Sequence, residues 1–115
     1  MEVAVVGFGG IPIQGCSQEE AERVLLRALD RGVNFFDSAR AYTDSEEKMG
    51  RALAPRREGI LLASKALSRT AGKMAEELET SLRNLRTDMI DLYQVHSVGS
   101  LAQLEKILGD RKSVV

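Results

Sequence analysis

One cysteine, one histidine, two prolines and no tryptophan occur in the 115 residues of this chain. With Cys16 alone, no disulfide forms within the chain, and a reducing compartment fits. No cysteine or histidine stands near Cys16 at metal-ligand spacing, so the residue reads as structural or incidental and no metal site is expected. Aromatic residues make up only 4%, which leaves few platforms for stacking single-stranded nucleic acid. Neither sign of charge dominates: 16 basic and 17 acidic residues give a formal net charge of −1. That balance argues against nucleic acid or an anionic membrane held by bulk charge. No apolar run nears the ~18 residues needed to span a bilayer. The N-terminus also lacks the basic stretch, apolar run and cleavage site of a secretory signal. The expectation is one cytoplasmic domain over residues 1–115, without nucleic-acid or membrane partners.

What is present is an alternation of two periodicities. Val3-Ala4-Val5-Val6-Gly7-Phe8-Gly9 is short, apolar and β-branched, and reads as a buried strand. Ser17-Gln18-Glu19-Glu20 is a capping box, and Ala21, Val24, Leu25, Ala28 and Leu29 then repeat on one helical face. Gly32 supplies the left-handed residue that ends this helix. The cycle recurs three times. Val33–Asp37 reads as a strand, followed by a short helix with an Asp44/Glu47 capping pair, Met49, Ala52 and Leu53, ended with the help of Pro55. Ile60–Ser64 is the third strand, and a helix from about Thr70 to Leu85 follows, with Met74, Leu78, Leu82 and Leu85 on one face. Met89–Val95 is the fourth strand, and Leu101, Leu104, Ile107 and Leu108 mark the fourth helix. Apolar strands alternating with amphipathic helices predict a parallel α/β sheet with right-handed crossovers. Pattern alone allows a doubly wound open sheet and part of a barrel equally.

Four chemically capable residues fall at or just past the carboxyl ends of three successive strands. Asp37 ends the second, Tyr42 lies in the loop after it, Lys65 ends the third and His96 ends the fourth. Catalytic groups of parallel α/β folds gather at this edge in barrels and open sheets alike. Singly, each has a plain structural reading: an Asp37–Lys65 ion pair closing the rim, a packing Tyr42, a helix-entry His96. Together they form a chemical set. A free tyrosine, with a pKa of about 10, is a weak acid at neutral pH. A lysine cation beside it favours the phenolate. Asp37 would hold Lys65 charged, Tyr42 would protonate a developing alkoxide, and His96 would donate to the same oxygen. That is the apparatus of carbonyl reduction without its hydride, which a nicotinamide cofactor must supply.

Gly32 to Tyr42, with Asp37-Ser38-Ala39 three residues ahead of Tyr42, resembles the signature of the aldo-keto reductases. Glu46-Glu47-Lys48-Met49-Gly50, Ser64-Lys65 and Asp91-Leu92-Tyr93-Gln94-Val95-His96 are similar to three further motifs of that family, in order. The match runs from about Val3 to about Leu108. It implies a TIM-type (β/α)8 barrel of which about four units are present, and NADPH as cofactor with NADH as the other candidate. It also implies a small-molecule carbonyl substrate, Tyr42 as proton donor, Lys65 and Asp37 as its tuners, and His96 as carbonyl orienter. Gly7-Phe8-Gly9-Gly10 lacks the third glycine of a dinucleotide fingerprint and opens into no helix, which excludes a Rossmann reading. In the barrel reading Gly9, Gly10 and Asp37 contact the cofactor, although a tight turn explains the glycines equally well. Arg40, Arg51, Arg56 and Arg57 read as solvated surface, with a weak case for Arg40 at the substrate.

A complete barrel of this kind takes ~250 residues. The loops that hold the adenosine phosphate in the family follow its later strands. A half-barrel would expose its edge strands and inner face, so self-association or flattening into an open sheet is expected. Two functions compete: an NAD(P)H-dependent carbonyl reductase, or a catalytically inactive half-barrel or assembly module that keeps the site by descent. A cofactor-sensing regulatory subunit is a third reading.

Overall fold

A computed structural model describes residues 2–112, with side chains described through residue 109. The elements are β1 (Phe8–Gly9), α1 (Gln18–Asp30), β2 (Phe35–Asp37), α2 (Ser45–Leu53), β3 (Leu61–Ala66), α3 (Ala71–Leu85), β4 (Leu92–Val95) and α4 (Leu101–Lys112). All strand pairs are parallel and the order is β1-β2-β3-β4. No strand order reverses, so there is no switch point of the doubly wound kind. Successive helices α1, α2 and α3 pack against each other along one side of the sheet. The four units therefore form an arc in which each strand is followed by its own helix, which settles the choice left open by periodicity.

Local chemistry explains most boundaries. The Ser17 side chain accepts from Glu20 N, and Glu20 returns the bond to Ser17 N at 3.0 Å, so the capping box forms as expected. Gly32 follows α1 with φ +94°, open to glycine at little cost. Between sheet and helices lies a core of Ile13, Leu25, Phe36, Met49, Leu53, Ile60, Leu62 and Leu85. Glu46-Glu47-Lys48-Met49-Gly50 owes its last residue to packing: a Cβ on Gly50 would lie 2.2 Å from Asn84 O and 2.8 Å from the Leu85 backbone. Glycine there lets α2 and α3 touch backbone to backbone. Lys48 is buried beside it and donates to Ile13 O at 2.8 Å and Gln14 O at 3.2 Å, pinning the turn after β1.

Three expectations are corrected. The first strand is two residues long, and Val3, Val5 and Val6 are exposed. Asn34 replaces the ladder there: its Oδ1 accepts from Ala4 N at 2.8 Å and its Nδ2 donates to Glu2 O at 2.7 Å. Asp44 makes no side-chain cap on α2, because its carboxylate pairs with Lys48 at 3.0 Å. Arg57 is no solvated side chain. It donates to Ile60 O at 2.6 Å, Met89 O at 3.0 Å and Asp91 Oδ2 at 2.7 Å, closing the end of the sheet opposite the strand tips. Along α4, Ile107 is buried while Leu101, Leu104 and Leu108 stay exposed. Among the described residues no helix is long and apolar enough to cross a membrane.

Two consequences are measurable. Gly50→Ala should lower stability to urea by about 1–3 kcal/mol, since α2 and α3 must separate. Gly72→Ala, with open space around its site, should be neutral or add up to ~1 kcal/mol. Burial opposes the charged form of Asp91, but the Leu62 N–H and the Arg57 guanidinium outweigh it and hold the carboxyl below its usual range. A carboxyl depressed in the folded state stabilises above its unfolded pKa of about 4, and that contribution is lost as pH falls through the folded value. Asp91→Asn should therefore be less stable than the parent at pH 7 by urea titration, with the gap closing below about pH 4. A gap independent of pH would contradict this role.

Candidate active site

Strand alternation puts Asp37, Ala63, Lys65 and Gln94 on one face of the sheet, away from the helices: Asp37 pairs with Ala63, and Lys65 with Gln94. From the penultimate position of β3, Lys65 Nζ reaches back across β2. It donates to Asp37 Oδ2 at 2.6 Å and to Ser38 O at 2.9 Å, and lies 3.4 Å from Tyr42 Oη. The same ammonium sits 4.9 Å from the Tyr42 ring centroid, where ring and cation attract.

Tyr42 stands on a loop whose path is fixed by continuing the ladder past β2. Ser38 N donates to Ala63 O at 2.9 Å and Arg40 N to Lys65 O at 3.1 Å. The chain then turns tightly: Tyr42 N donates to Ala39 O at 3.1 Å and Ser45 N to Tyr42 O at 2.8 Å. His96 follows β4, its N–H donating to Ala66 O at 2.9 Å. Its ring meets that of Tyr42 edge-on, 5.5 Å between centroids at 89°. Asp37, Tyr42, Lys65 and His96 thus come together at one rim, each half-buried.

The second tyrosine is a useful contrast. Burial pushes the Tyr93 phenol up to about 12, and the Glu77 carboxylate adds to the rise. Tyr93 lies on the helix side of β4 and is a poor proton donor; Tyr42 is the phenol beside an ammonium.

Three features of the rim escaped sequence reasoning. Gln94 Nε2 donates to Asp37 Oδ1 at 3.2 Å, so one carboxylate oxygen faces Lys65 and the other Gln94. A polar residue on an otherwise apolar strand, two residues before His96, was the available signal. Glu46 is 1% exposed. It accepts from Ser64 Oγ at 2.7 Å and Asn84 Nδ2 at 3.4 Å, and pairs with Arg40. Arg40 is accordingly not solvated surface, since its Nη1 is committed to Glu46. Arg69, from the loop after β3, donates to His96 O at 2.6 Å.

The two glycines at the end of β1 differ. Gly10 is buried, and a Cβ there would lie 2.5 Å from Ser45 Oγ and 2.9 Å from Asp37 O. Its N–H donates to Asp37 O at 2.7 Å, and its carbonyl accepts from Ser45 Oγ at 2.8 Å. Close packing alone requires glycine at this position. Gly9 is exposed, with nothing within 4 Å of where its Cβ would be.

Comparison with known proteins agrees with this geometry. The family model described as "Aldo/keto reductase family" matches residues 5–112. The chain is 37% identical over 106 residues to the methylglyoxal reductase YeaE of Escherichia coli, covering 88% of this chain and 37% of that protein. It is 35% identical over 133 residues to the aldo-keto reductase yakc [NADP(+)] of Schizosaccharomyces pombe, covering 98% of this chain and 39% of the relative. A solved aldo-keto reductase from Pseudomonas aeruginosa superposes with a TM-score of 0.87 at 31% identity, over 99% of this chain and 50% of that one. The chain therefore spans half or less of the length of these relatives, and its four strand–helix units correspond to part of their barrel. It belongs to the aldo/keto reductase family.

Proposed function

We propose that this chain carries the acid–base face of a nicotinamide-dependent oxidoreductase that reduces small aldehydes or ketones to alcohols. The observation that supports it best is the position of Lys65 Nζ, 2.6 Å from Asp37 and 3.4 Å from the Tyr42 hydroxyl. In this reading Tyr42 gives its proton to the oxygen of the carbonyl as charge develops there. Lys65 stabilises the phenolate left behind, and Asp37, steadied by Gln94, keeps the ammonium in place. His96 donates a hydrogen bond to the same oxygen and orients it.

The residues present suit a bound nicotinamide. Lys65, Tyr42 and His96 stand at one half-buried rim, where a carbonyl presented beside the ring would meet the phenol. Gly9 leaves open space at the rim; Gly9 and Asp37 are the residues proposed to approach the ring, while Gly10, buried and bonded through both backbone groups, shapes the rim from beneath. The cofactor would supply the hydride, which no side chain carries. NADPH is favoured over NADH by the relative named for NADP(+), and a small carbonyl substrate by the one named for methylglyoxal. A cytoplasmic, reducing setting suits both.

Absorbance-monitored oxidation of NADPH with a reactive aromatic aldehyde tests the reading. The parent chain should turn over, and Tyr42→Phe should lose on the order of 10²–10⁴-fold in kcat with cofactor binding unchanged. A parent that binds NADPH without oxidising it would instead fit an inactive half-barrel that keeps the site by descent.

A further inference from the structure

We propose that Arg69 is a positioning residue for His96, a role that rests on the carbonyl-reduction reading of the rim. Its Nη2 crosses from the β3–α3 loop and donates to the carbonyls of His96 at 2.6 Å and Ser97 at 3.2 Å. Ser97 is left-handed, with φ +53°, an uncommon conformation for a residue with a side chain. The chain therefore bends sharply just past His96, and the guanidinium grips both carbonyls of that bend. On the other side of the residue, His96 N is bonded to Ala66 O. The His96 backbone is thus fixed at both ends, and that fixes where its ring meets Tyr42.

The platform under Arg69 is itself tied down. Glu77, from α3, accepts from Leu67 N at 3.0 Å and Ser68 N at 2.9 Å, and from the Ser68 hydroxyl. Position thus passes from α3 through Glu77 to the loop, and from Arg69 to the histidine. Arg69 gives up solvation to do this: its Nη1 is buried with no partner among the described residues. Such a group is costly to leave unmatched. Arg57 makes similar carbonyl contacts at the opposite end of the sheet and supplies the control.

The test is NMR of the intact chain, following the nuclear Overhauser contact between the Tyr42 and His96 rings and the His96 ring shifts, in Arg69→Met, Arg69→Lys and Arg57→Met. Arg69→Met should abolish the contact while core resonances of Phe36 and Met49 hold. Arg69→Lys, with a single ammonium in place of the fork, should weaken it at least by half. Arg57→Met should lose stability and leave the contact intact. Where the parent turns over, Arg69→Met should also lose on the order of tenfold to a hundredfold in kcat with little change in KM for NADPH. An unchanged ring contact and unchanged His96 shifts in Arg69→Lys would overturn the proposal, even if Arg69→Met fails to fold. A ring contact that responds as expected in a chain without turnover would uphold the role of Arg69 and count against the carbonyl-reduction reading instead.

Discussion

A carboxylate taken out of water must be matched or its burial costs several kcal/mol. In this chain that carboxylate is Glu46, and matching it joins α2, where it resides, to the loop after β2 through Arg40, to β3 through Ser64 and to α3 through Asn84. Ser64 and Lys65 are neighbours in β3 that face opposite sides of the sheet. The buried hub therefore grips the underside of the strand position whose upper side carries Lys65. The loop it grips at Arg40 is the one that carries Tyr42 two residues later. Both partners of the phenol–ammonium pair are placed by one buried charge that touches neither.

Several motif residues serve this framework. Gly50 admits the backbone of α3 against α2, on the same helix as Glu46. Gly10 lets the end of β1 lie against Asp37 O and Ser45 Oγ, and a hydroxyl relay runs from Ser38 through Ser45 to Gly10 O, each step 2.8 Å. Asp91, which opens the motif ending in His96, accepts from Leu62 N at 2.9 Å and pairs with Arg57 at the far end of the sheet. The rim can be held rigidly because the opposite edge is laced together.

Periodicity and capping chemistry made the four strand–helix units and the placement of Asp37, Tyr42, Lys65 and His96 legible in the sequence, since strand ends converge on one edge in any parallel α/β fold. Composition could not say that the sheet order runs straight from β1 to β4, which required the observed register. The first strand was overread because Val3–Val6 has strand composition, while what holds that segment is the side chain of Asn34. Arg57 reads as surface in the sequence because its carboxylate partner, Asp91, lies 34 residues away, and Arg40 because nothing in the sequence says that Glu46, six residues on, is buried. Gln94 and Arg69 were missed for the same reason: each acts on a backbone or carboxylate oxygen that only the folded register brings near.

The Glu46 hub holds the Tyr42 loop against β3, and amide hydrogen exchange at Arg40 reports on that hold, because Arg40 N–H is bonded to Lys65 O at 3.1 Å. In Glu46→Gln, which keeps the shape but removes the charge, protection of the Arg40 amide should fall about tenfold or more while the Phe36 amide keeps its protection. Equal protection of Arg40 in parent and variant would mean that the loop holds its place without the buried carboxylate, and that Glu46 does not position Tyr42.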